Sequence, residues 1–244
     1  MHILKSLKRI FSDHGVGAFS VIFSHLCEYS FFKYVKKGSF EFKGRKLPYF
    51  YHWYGHTYRT ERVVEIPIAL DFLATNDFRS KEVLEVGDVL RNYIPLSYEK
   101  YTIVDKYAKD SSVVINQDIV DFKSAKKFDL IISVSTVEHV GWDEEDKMTD
   151  KFKVALNHMA TLLSDTGKML VTVPFGYNSD LDKHALRNGF QKHTITVMNR
   201  ISKDNRWKEL PLSSVGQPTY DKPFPHGNFV LVIETNPPYS FPLF

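Results

Sequence analysis

Short, continuously apolar runs recur through the second part of the chain and alternate with segments that are apolar on one helical face. Asp146–Leu163 has such a face, and a helix is also predicted near Thr194–Arg200. Strands buried on both faces read as continuous apolar runs, so the pattern predicts a largely parallel sheet covered by helices on both sides. The predicted strands are Val83–Val86, Tyr101–Val104, Val113–Ile115, Phe128–Val134, Met169–Val173, Trp207–Leu210 and Phe229–Ile233.

The N-terminal part of the chain has a different pattern. Phe19–Val35 is predicted to be helical and Phe40–Tyr51 extended, and 14 of the 35 aromatic residues lie between Phe19 and Tyr58. Residues 1–60 carry 10 Lys and Arg against 3 Asp and Glu, or +7, while the remainder carries 22 against 26, or −4. We therefore expect a basic, aromatic-rich cap at residues 1–59, followed by a single α/β domain at residues 60–244.

Met1–Phe11 has the spacing of an amphipathic helix, with lysine and arginine between its apolar positions. Packing of this helix against the protein body and a weak contact of residues 1–12 with a membrane surface or another protein are both left open. The oligomeric state is not predicted.

The composition limits the cellular compartments and the classes of binding partner that are expected. Cys27 is the only cysteine of the 244 residues, so no internal disulfide framework exists and a reducing compartment, the cytoplasm, is expected. No apolar run reaches the length needed to span a bilayer, and no secretory signal is recognised. The net charge of +3 is too small to indicate nucleic acid as a partner.

Polar and acidic residues follow the predicted strands at their carboxyl ends, where ligands bind in doubly wound sheets. Glu85, Gly87 and Asp88 follow the first strand, and Asp105 follows the second, 20 residues after Glu85. An acidic side chain at that distance is placed to bind ribose hydroxyls. The third strand leads to Asp118, and the fourth to the segment Ser133–His139.

The turn after the first strand contains a single glycine, Gly87, and no G-x-G-x-x-G fingerprint. Glycines in that fingerprint let the backbone approach a pyrophosphate, and flanking carboxylates repel one. A nicotinamide-dependent oxidoreductase is therefore disfavoured. The turn suits a ligand with an adenosine and a cationic centre but no phosphate, such as S-adenosylmethionine.

With these features the chain resembles the class I S-adenosylmethionine-dependent methyltransferases over about residues 60–235. The resemblance is closest to a subfamily with the motifs LEVGxVL, VDKY and STxEHVGWDE. It departs from the wider family in lacking the second glycine, and Asp88 stands where asparagine is expected. The motifs that carry the resemblance are Glu61–Ile68, Leu84–Leu90, Val104–Tyr107, Asp118–Phe122, Ser135–Glu144 and Thr172–Asn178.

The resemblance implies a Rossmann-like, doubly wound sheet of seven strands with an antiparallel last strand, and S-adenosylmethionine as cofactor. It places the methionine part of the cofactor near Glu85 and Gly87, the ribose at Asp105 and the adenine edge at Asp118 and Ile119. Capping of the following turn by Glu85 and an Asx turn at Asp118 remain alternatives. The expected cofactor-binding residues are Glu85, Gly87, Asp88, Asp105, Lys106, Asp118, Ile119, Ser133 and Ser135.

Methyl transfer to a hydroxyl requires a base, and His139, just past the fourth strand, is the expected base, with Glu138 orienting it or the acceptor. A purely structural role for His139, at the start of a helix with bonds to the backbone, stays open. Related quinone-pathway enzymes hold a divalent cation with two glutamates and this histidine. Ser135 replaces one of those glutamates, so no metal is expected.

Aromatic side chains mixed with Asn, Asp and His suit a polyhydroxylated acceptor, so the sequence predicts O-methylation of a sugar, a glycan or another small molecule. The alternative is a methyltransferase fold that has lost catalysis and acts as a binding or scaffolding protein. The expected acceptor-binding residues are Tyr54, His56, Trp142, Tyr177, Asn178, Asp182, His184 and His226.

Overall fold

The computed structural model describes residues 18–96, 99–108, 112–188, 190 and 193–235, so the contact predicted for residues 1–12 lies outside them. The α-helices alternate with groups of one to three strands along this range. The helices are α1 (Ala18–Ser30), α2 (Arg62–Thr75), α3 (Lys151–Thr161) and α4 (Ser179–Asn188). The strands are β1 (Ser39–Phe42), β2 (Arg45–Pro48), β3 (Val83–Val86), β4 (Tyr101–Val104), β5 (Phe128–Val134), β6 (Leu163–Phe175), β7 (His193–Arg200), β8 (Trp207–Leu210) and β9 (Phe229–Thr235).

Seven strands form one sheet in the order β4-β3-β5-β6-β9-β7-β8. Strands β4, β3, β5 and β6 are parallel, whereas β9 runs antiparallel to both β6 and β7 and lies between them. The predicted doubly wound, seven-stranded sheet with an antiparallel last strand is confirmed. The edge strand β8 is also antiparallel to its neighbour, β7. The predicted third strand is reduced to an isolated parallel bridge between Val104 and Ile115.

The helix predicted near Thr194–Arg200 is wrong, because this segment is strand β7. Ile195 and Val197 are β-branched and alternate with threonines, and β7 pairs with β9 on one side and β8 on the other. Two ladders of hydrogen bonds override a marginal helical pattern. The predicted helix at Asp146–Leu163 is present in a shorter form, as α3.

Apolar side chains cover both faces of the sheet. On one face, Leu84, Ile131 and Val171 pack with α3 residues Phe152 and Met159. The other face packs largely against α2, and its buried residues include Val63, Ile66, Leu130, Ile132 and Val232. The sheet therefore lies between two apolar layers, as predicted from its continuously apolar strands.

Helix α2 contains Pro67 in its interior, which cannot donate a backbone hydrogen bond to the carbonyl of Val63. The backbone N–H of Phe50 donates to that carbonyl instead, at 3.1 Å. The aromatic segment of the predicted cap therefore satisfies a carbonyl that the proline leaves unpaired.

The N-terminal segment consists of α1, a π-helical turn (Phe31–Lys36) and the β1–β2 hairpin. Phe40, Phe42 and Leu47 of the hairpin are buried in the same apolar cluster as α2 and the sheet. The described part of this segment is thus joined to the sheet by a common core. The division of the chain at residues 59 and 60 stays a prediction. No described helix is long and apolar enough to cross a membrane.

Candidate active site

The turn after β3 meets the segment after β5 in a very close contact. Gly87 has a φ of +91°, and a Cβ at this position would lie 2.1 Å from Oγ1 of Thr136. Only glycine fits both the backbone conformation and the available space. This contact brings together two of the segments in which the sequence places the site.

Glu85, at the carboxyl end of β3, is buried and turned into the protein. Its Oε1 accepts hydrogen bonds from the backbone N–H groups of Val89 (2.9 Å) and Leu90 (2.7 Å), and its Oε2 accepts one from the Tyr101 hydroxyl at 2.9 Å. Burial raises the pKa of Glu85 to about 7. These contacts correspond to the capping alternative, and the predicted contact of Glu85 with the cofactor stays a prediction.

Asp88 and Asp105 are adjacent at the ends of β3 and β4. The backbone N–H of Asp88 donates to Oδ2 of Asp105 at 3.0 Å, and Oδ1 of Asp105 accepts from the N–H of Tyr107 at 2.7 Å. The carboxylate of Asp88 is paired with Arg91. The structure thus brings together the two aspartates that the sequence assigns to the cofactor.

An ionic cluster lies beside these residues, formed by Asp118, Glu144, Lys106 and Lys151. Each lysine Nζ contacts both carboxylates, at distances of 2.7–3.0 Å. Burial acts to raise the pKa of Asp118 and of Glu144, but hydrogen bonds from the lysines outweigh it and lower both. Asp118 also accepts a hydrogen bond from the N–H of Val120, as in the Asx-turn alternative. The cluster connects the segments that follow β4, the Val104–Ile115 bridge and β5.

Two of the expected cofactor-binding side chains point into the core. Ile119 is 4% exposed and packs with Leu84 and Val104. Ser133 is fully buried, and its Oγ donates to the carbonyl of Val86 at 3.0 Å, which ties β5 to β3. The contacts of both side chains are structural, and any cofactor contact there would be made by the backbone.

A buried acidic cluster lies at the ends of β5 and β6, under the first turn of α2. Glu65 is fully buried and accepts from Oγ of Ser135 at 2.8 and 2.7 Å, and Ser135 has a positive φ of 41°. Nε of Arg62 lies 3.6 Å from Oε2 of Glu65. Burial raises the pKa of Glu65. Ser135 therefore holds an acidic side chain of α2, a partner that the sequence analysis did not consider.

Glu138 is the least satisfied member of this cluster. It is 1% exposed, and neither of its carboxylate oxygens has a hydrogen-bond partner in the described structure. Burial, followed by the proximity of Glu65, raises its pKa well above the ordinary value. An unpaired buried carboxyl is costly, and such groups are found at functional sites more often than elsewhere.

His139 is the exposed neighbour of this buried carboxyl, with a side chain that is 42% exposed. Its Nδ1 lies 2.5 Å from Oδ2 of Asp143, and its Nε2 lies 3.5 Å from Oε1 of Glu138. The hydroxyl of Tyr177 donates to the same oxygen of Asp143 at 2.8 Å, and the Tyr177 ring packs edge-on against the imidazole. A carboxylate and an aromatic ring thus fix the orientation of His139.

The segment after β6 approaches the same place through Asn178, which donates from Nδ2 to the backbone carbonyl of Glu138 at 2.9 Å. Its Oδ1 accepts from the first backbone N–H groups of α4 and caps that helix. Asp182 is buried beneath and accepts from the N–H of Gly176 at 3.0 Å. Burial raises the pKa of Asp182 to about 6.

The remaining expected acceptor-binding residues are dispersed. The backbone N–H of Trp142 donates to the carbonyl of His139, so this residue lies next to the site in the chain fold. His56 and Tyr54 lie in the aromatic segment before α2. Both His56 and His25 are hydrogen-bonded to the Tyr58 hydroxyl, and the Tyr54 ring packs against that of Tyr93. His226 lies in a turn whose Gly227 N–H donates to Glu61, at the start of α2. His184 packs between the rings of Phe152 and Phe190, in apolar surroundings.

Sequence reasoning missed the residues that support the site: Glu65, Arg62, Asp143 and Lys151. For Glu65 a signal existed, because it interrupts the apolar run Val63–Leu70 at a position that faces the core. A charged residue on a buried helix face needs a partner and indicates a site. Asp143 is four residues after His139, a spacing that a turn brings together.

Among the described residues, no group of three or more His, Cys, Asp or Glu side chains is arranged to hold a metal ion. The arrangement at the strand ends offers carboxylates and one histidine. This donor set suits hydrogen bonding, proton transfer and attraction of a cation.

The strand order, with antiparallel β9 inserted between β6 and β7, is that of a Rossmann-like methyltransferase fold. No protein-family model matches the chain, and no curated protein matches it in sequence.

Several solved structures are similar in fold. The N-methyltransferase NodS of Bradyrhizobium japonicum, in complex with S-adenosylhomocysteine, is 14% identical over 69% of this chain and 85% of its own, with a TM-score of 0.43. The 1,6-didemethyltoxoflavin N1-methyltransferase of Burkholderia thailandensis is 14% identical over 71% and 78%, with a TM-score of 0.43. The sugar N-methyltransferase KedS8 of Streptoalloteichus is 10% identical over 71% and 87%, with a TM-score of 0.36.

Proposed function

We propose that this protein is an S-adenosylmethionine-dependent methyltransferase that methylates a hydroxyl group of a sugar, a glycan or another small molecule. The observation that carries the proposal is the arrangement of Asp143, His139 and Glu138 at the carboxyl ends of the strands. There Asp143 orients the partly exposed imidazole of His139 through its Nδ1 atom. The Nε2 atom of the same ring lies beside the buried carboxyl of Glu138, which has no hydrogen-bond partner among the described residues.

The residues fit a sulfonium cofactor. Gly87 packs directly against Thr136, which joins the turn after β3 to the segment after β5, and Asp88 and Asp105 place carboxylates next to this turn. Asp105 would hold the ribose hydroxyls, and the acidic surroundings favour a cationic centre. When bound, the cofactor supplies an electrophilic methyl group. The protein contributes alignment and a suitable electrostatic environment.

The base would be His139. Asp143 accepts a hydrogen bond from Nδ1–H, which places the lone pair of the neutral imidazole on Nε2, where it can accept a proton. The acceptor hydroxyl loses its proton to Nε2 as its oxygen attacks the methyl carbon. Partial exposure leaves His139 within reach of an acceptor, and the Tyr177 ring beside it offers aromatic surface suited to a sugar ring.

The second candidate is a binding or scaffolding protein without catalysis. It is favoured by the inward engagement of Glu85, Ser133 and Ser135, which the sequence assigns to the cofactor but whose side chains make structural bonds.

Calorimetry with S-adenosylmethionine separates the two candidates. Binding with a dissociation constant of about micromolar order supports the enzyme, and no binding supports the scaffold. Transfer of a labelled methyl group to nucleotide sugars and glycans then tests the acceptor class. Binding of the donor without transfer to any of them would contradict sugar O-methylation.

A further inference from the structure

Helix α1 and the following π-helical turn, Ala18–Lys36, are rich in aromatic side chains, and the fold uses only one side of them. On the inner side, Phe32 is buried against the rings of Tyr51 and Tyr58, with ring centroids 5.4 and 5.8 Å apart. Glu28 is paired with Arg59 on the same side. These contacts fix the segment on the body of the protein.

The opposite side, which we call the outer face, is apolar and open. Its exposed side chains are Phe23 (68%), Leu26 (45%), Phe31 (51%), Tyr34 (64%) and Val35 (69%). Single exposed apolar residues are ordinary, but a contiguous set of large ones on one helical segment indicates an interaction surface. None of these five side chains is needed to hold the segment in place.

The exposed charges of the segment have one sign. Lys33 and Lys37 are exposed, and neither has a carboxylate partner among the described residues, although Nζ of Lys33 donates to the hydroxyl of Tyr29 at 2.8 Å. The acidic residue of the segment, Glu28, is turned inward to Arg59, and Lys36 is drawn to Asp204 on the body. The segment therefore carries exposed lysines beside its apolar outer face and no carboxylate facing outward.

We propose that the outer face of Ala18–Lys37 binds the surface of an anionic membrane, with the helix lying in the plane of the interface. Aromatic and aliphatic side chains entering the headgroup region, with lysines beside them, are the chemistry that anionic bilayers select. The charge favours this occupant over a second copy of the chain, because two cationic faces repel each other. The proposal is independent of the methyltransferase function.

The experiment is sedimentation of the full chain with extruded vesicles. Binding is expected to vesicles of phosphatidylcholine with about one third phosphatidylglycerol, and to be at least about tenfold weaker for phosphatidylcholine alone. Raising the salt to about 0.5 M should weaken it, because screening removes the electrostatic part. Equal binding to both vesicle types, or binding to neither, would overturn the proposal.

The test variant is the triple substitution Phe23→Ser, Phe31→Ser and Val35→Ser, and its matched control replaces Met148, Val154 and Ile201 with serine. The control residues are 52–56% exposed apolar side chains outside this segment. The outer-face variant should lose at least about tenfold in vesicle affinity and the control less than about twofold, since buried apolar area sets the affinity. Thermal unfolding confirms that both variants are folded.

Three results would contradict the proposal. Wild-type binding by the outer-face variant would move the membrane contact to another part of the chain. Equal losses in both triple variants would indicate a nonspecific effect of hydrophobicity. A dimer in light scattering that dissociates in the outer-face variant would assign this surface to a second copy of the chain.

Discussion

Two groups of acidic side chains lie at the same edge of the sheet and differ in how their charge is balanced. In the ionic cluster, Asp118 and Glu144 share two lysines, and these hydrogen bonds lower the pKa of both carboxyls. In the buried acidic cluster, Glu65 and Glu138 are screened from water, only Glu65 lies close to Arg62, and burial raises the pKa of both carboxyls.

The difference shows what each cluster does for the protein. Carboxylates that are already paired with lysines connect loops, and their charge is neutralised before any ligand binds. A buried carboxyl without a partner destabilises the fold, and selection retains such a group where it has a task. Its contact with His139 is the reason why Glu138 is part of the proposed active site.

The largest expected effect is that of Glu65→Ala. This change leaves the partly buried Arg62 guanidinium without its nearest carboxylate, and it deprives the buried Ser135 hydroxyl of its acceptor. Unfolding in urea should show a loss of about 3 kcal/mol, the cost of leaving buried polar groups without partners. Glu65→Gln, which keeps an acceptor for Ser135, should lose less. A loss below about 1 kcal/mol for the alanine variant would show that Arg62 has another partner.

The next effect is expected from His139→Ala. If the imidazole is the base, kcat should fall about 100-fold, while the dissociation constant of the donor stays unchanged. Steady-state kinetics and calorimetry measure the two quantities. Asp143→Asn should retain the imidazole and lose part of the rate, because the ring orientation is no longer fixed. Full activity of His139→Ala would remove the histidine as base.

Glu138→Gln tests the raised pKa of the buried carboxyl. Wild-type Glu138 takes up a proton more readily when folded than when unfolded, so its ionisation weakens the fold as the pH rises above about 4.3. The glutamine variant should therefore gain stability relative to wild type with rising pH, by about 1–3 kcal/mol at pH 8, and match it in acid. Parallel stability curves over this range would show that Glu138 has an undetected partner.

The smallest effect is expected from Asp118→Asn, in the ionic cluster. Its lowered pKa gives stability that is present above its ordinary pKa of about 3.9 and is lost as the pH falls from that value through the lower pKa of the folded protein. The loss at neutral pH should be about 1 kcal/mol or less and should shrink in high salt. Thermal unfolding at two salt concentrations measures it. A larger, salt-independent loss would place this cluster with the buried one.

Much of the sheet could be predicted because its strands are buried on both faces and therefore read as apolar runs. Strand β7 could not be predicted, because its conformation depends on pairing with β8 and with β9, which is distant in the sequence. Helix α4 was missed for a related reason. Its sequence is mostly polar, and it is fixed by the Asn178 cap and buried residues such as Leu181 and Ala185.

The candidate site was predicted as a set of strand ends, and the structure places Asp88, Asp105, Glu138 and His139 there. What the sequence could not show is where each carboxyl points. Glu85 and Asp118 look equivalent along the chain, yet one turns inward to cap a loop and the other joins two lysines. Orientation depends on packing against distant segments, which spacing along the chain does not encode.

Phe40, Phe42 and Leu47 are buried in the apolar cluster that they share with α2 and the sheet, and this burial limits which fragments of the protein can be produced. A fragment starting at residue 60 would expose the apolar surface that these three side chains cover. It would also leave the carbonyl of Val63 without its hydrogen-bond donor, Phe50. Such a trimmed product would precipitate when expressed, so crystallisation and enzymology require the intact chain.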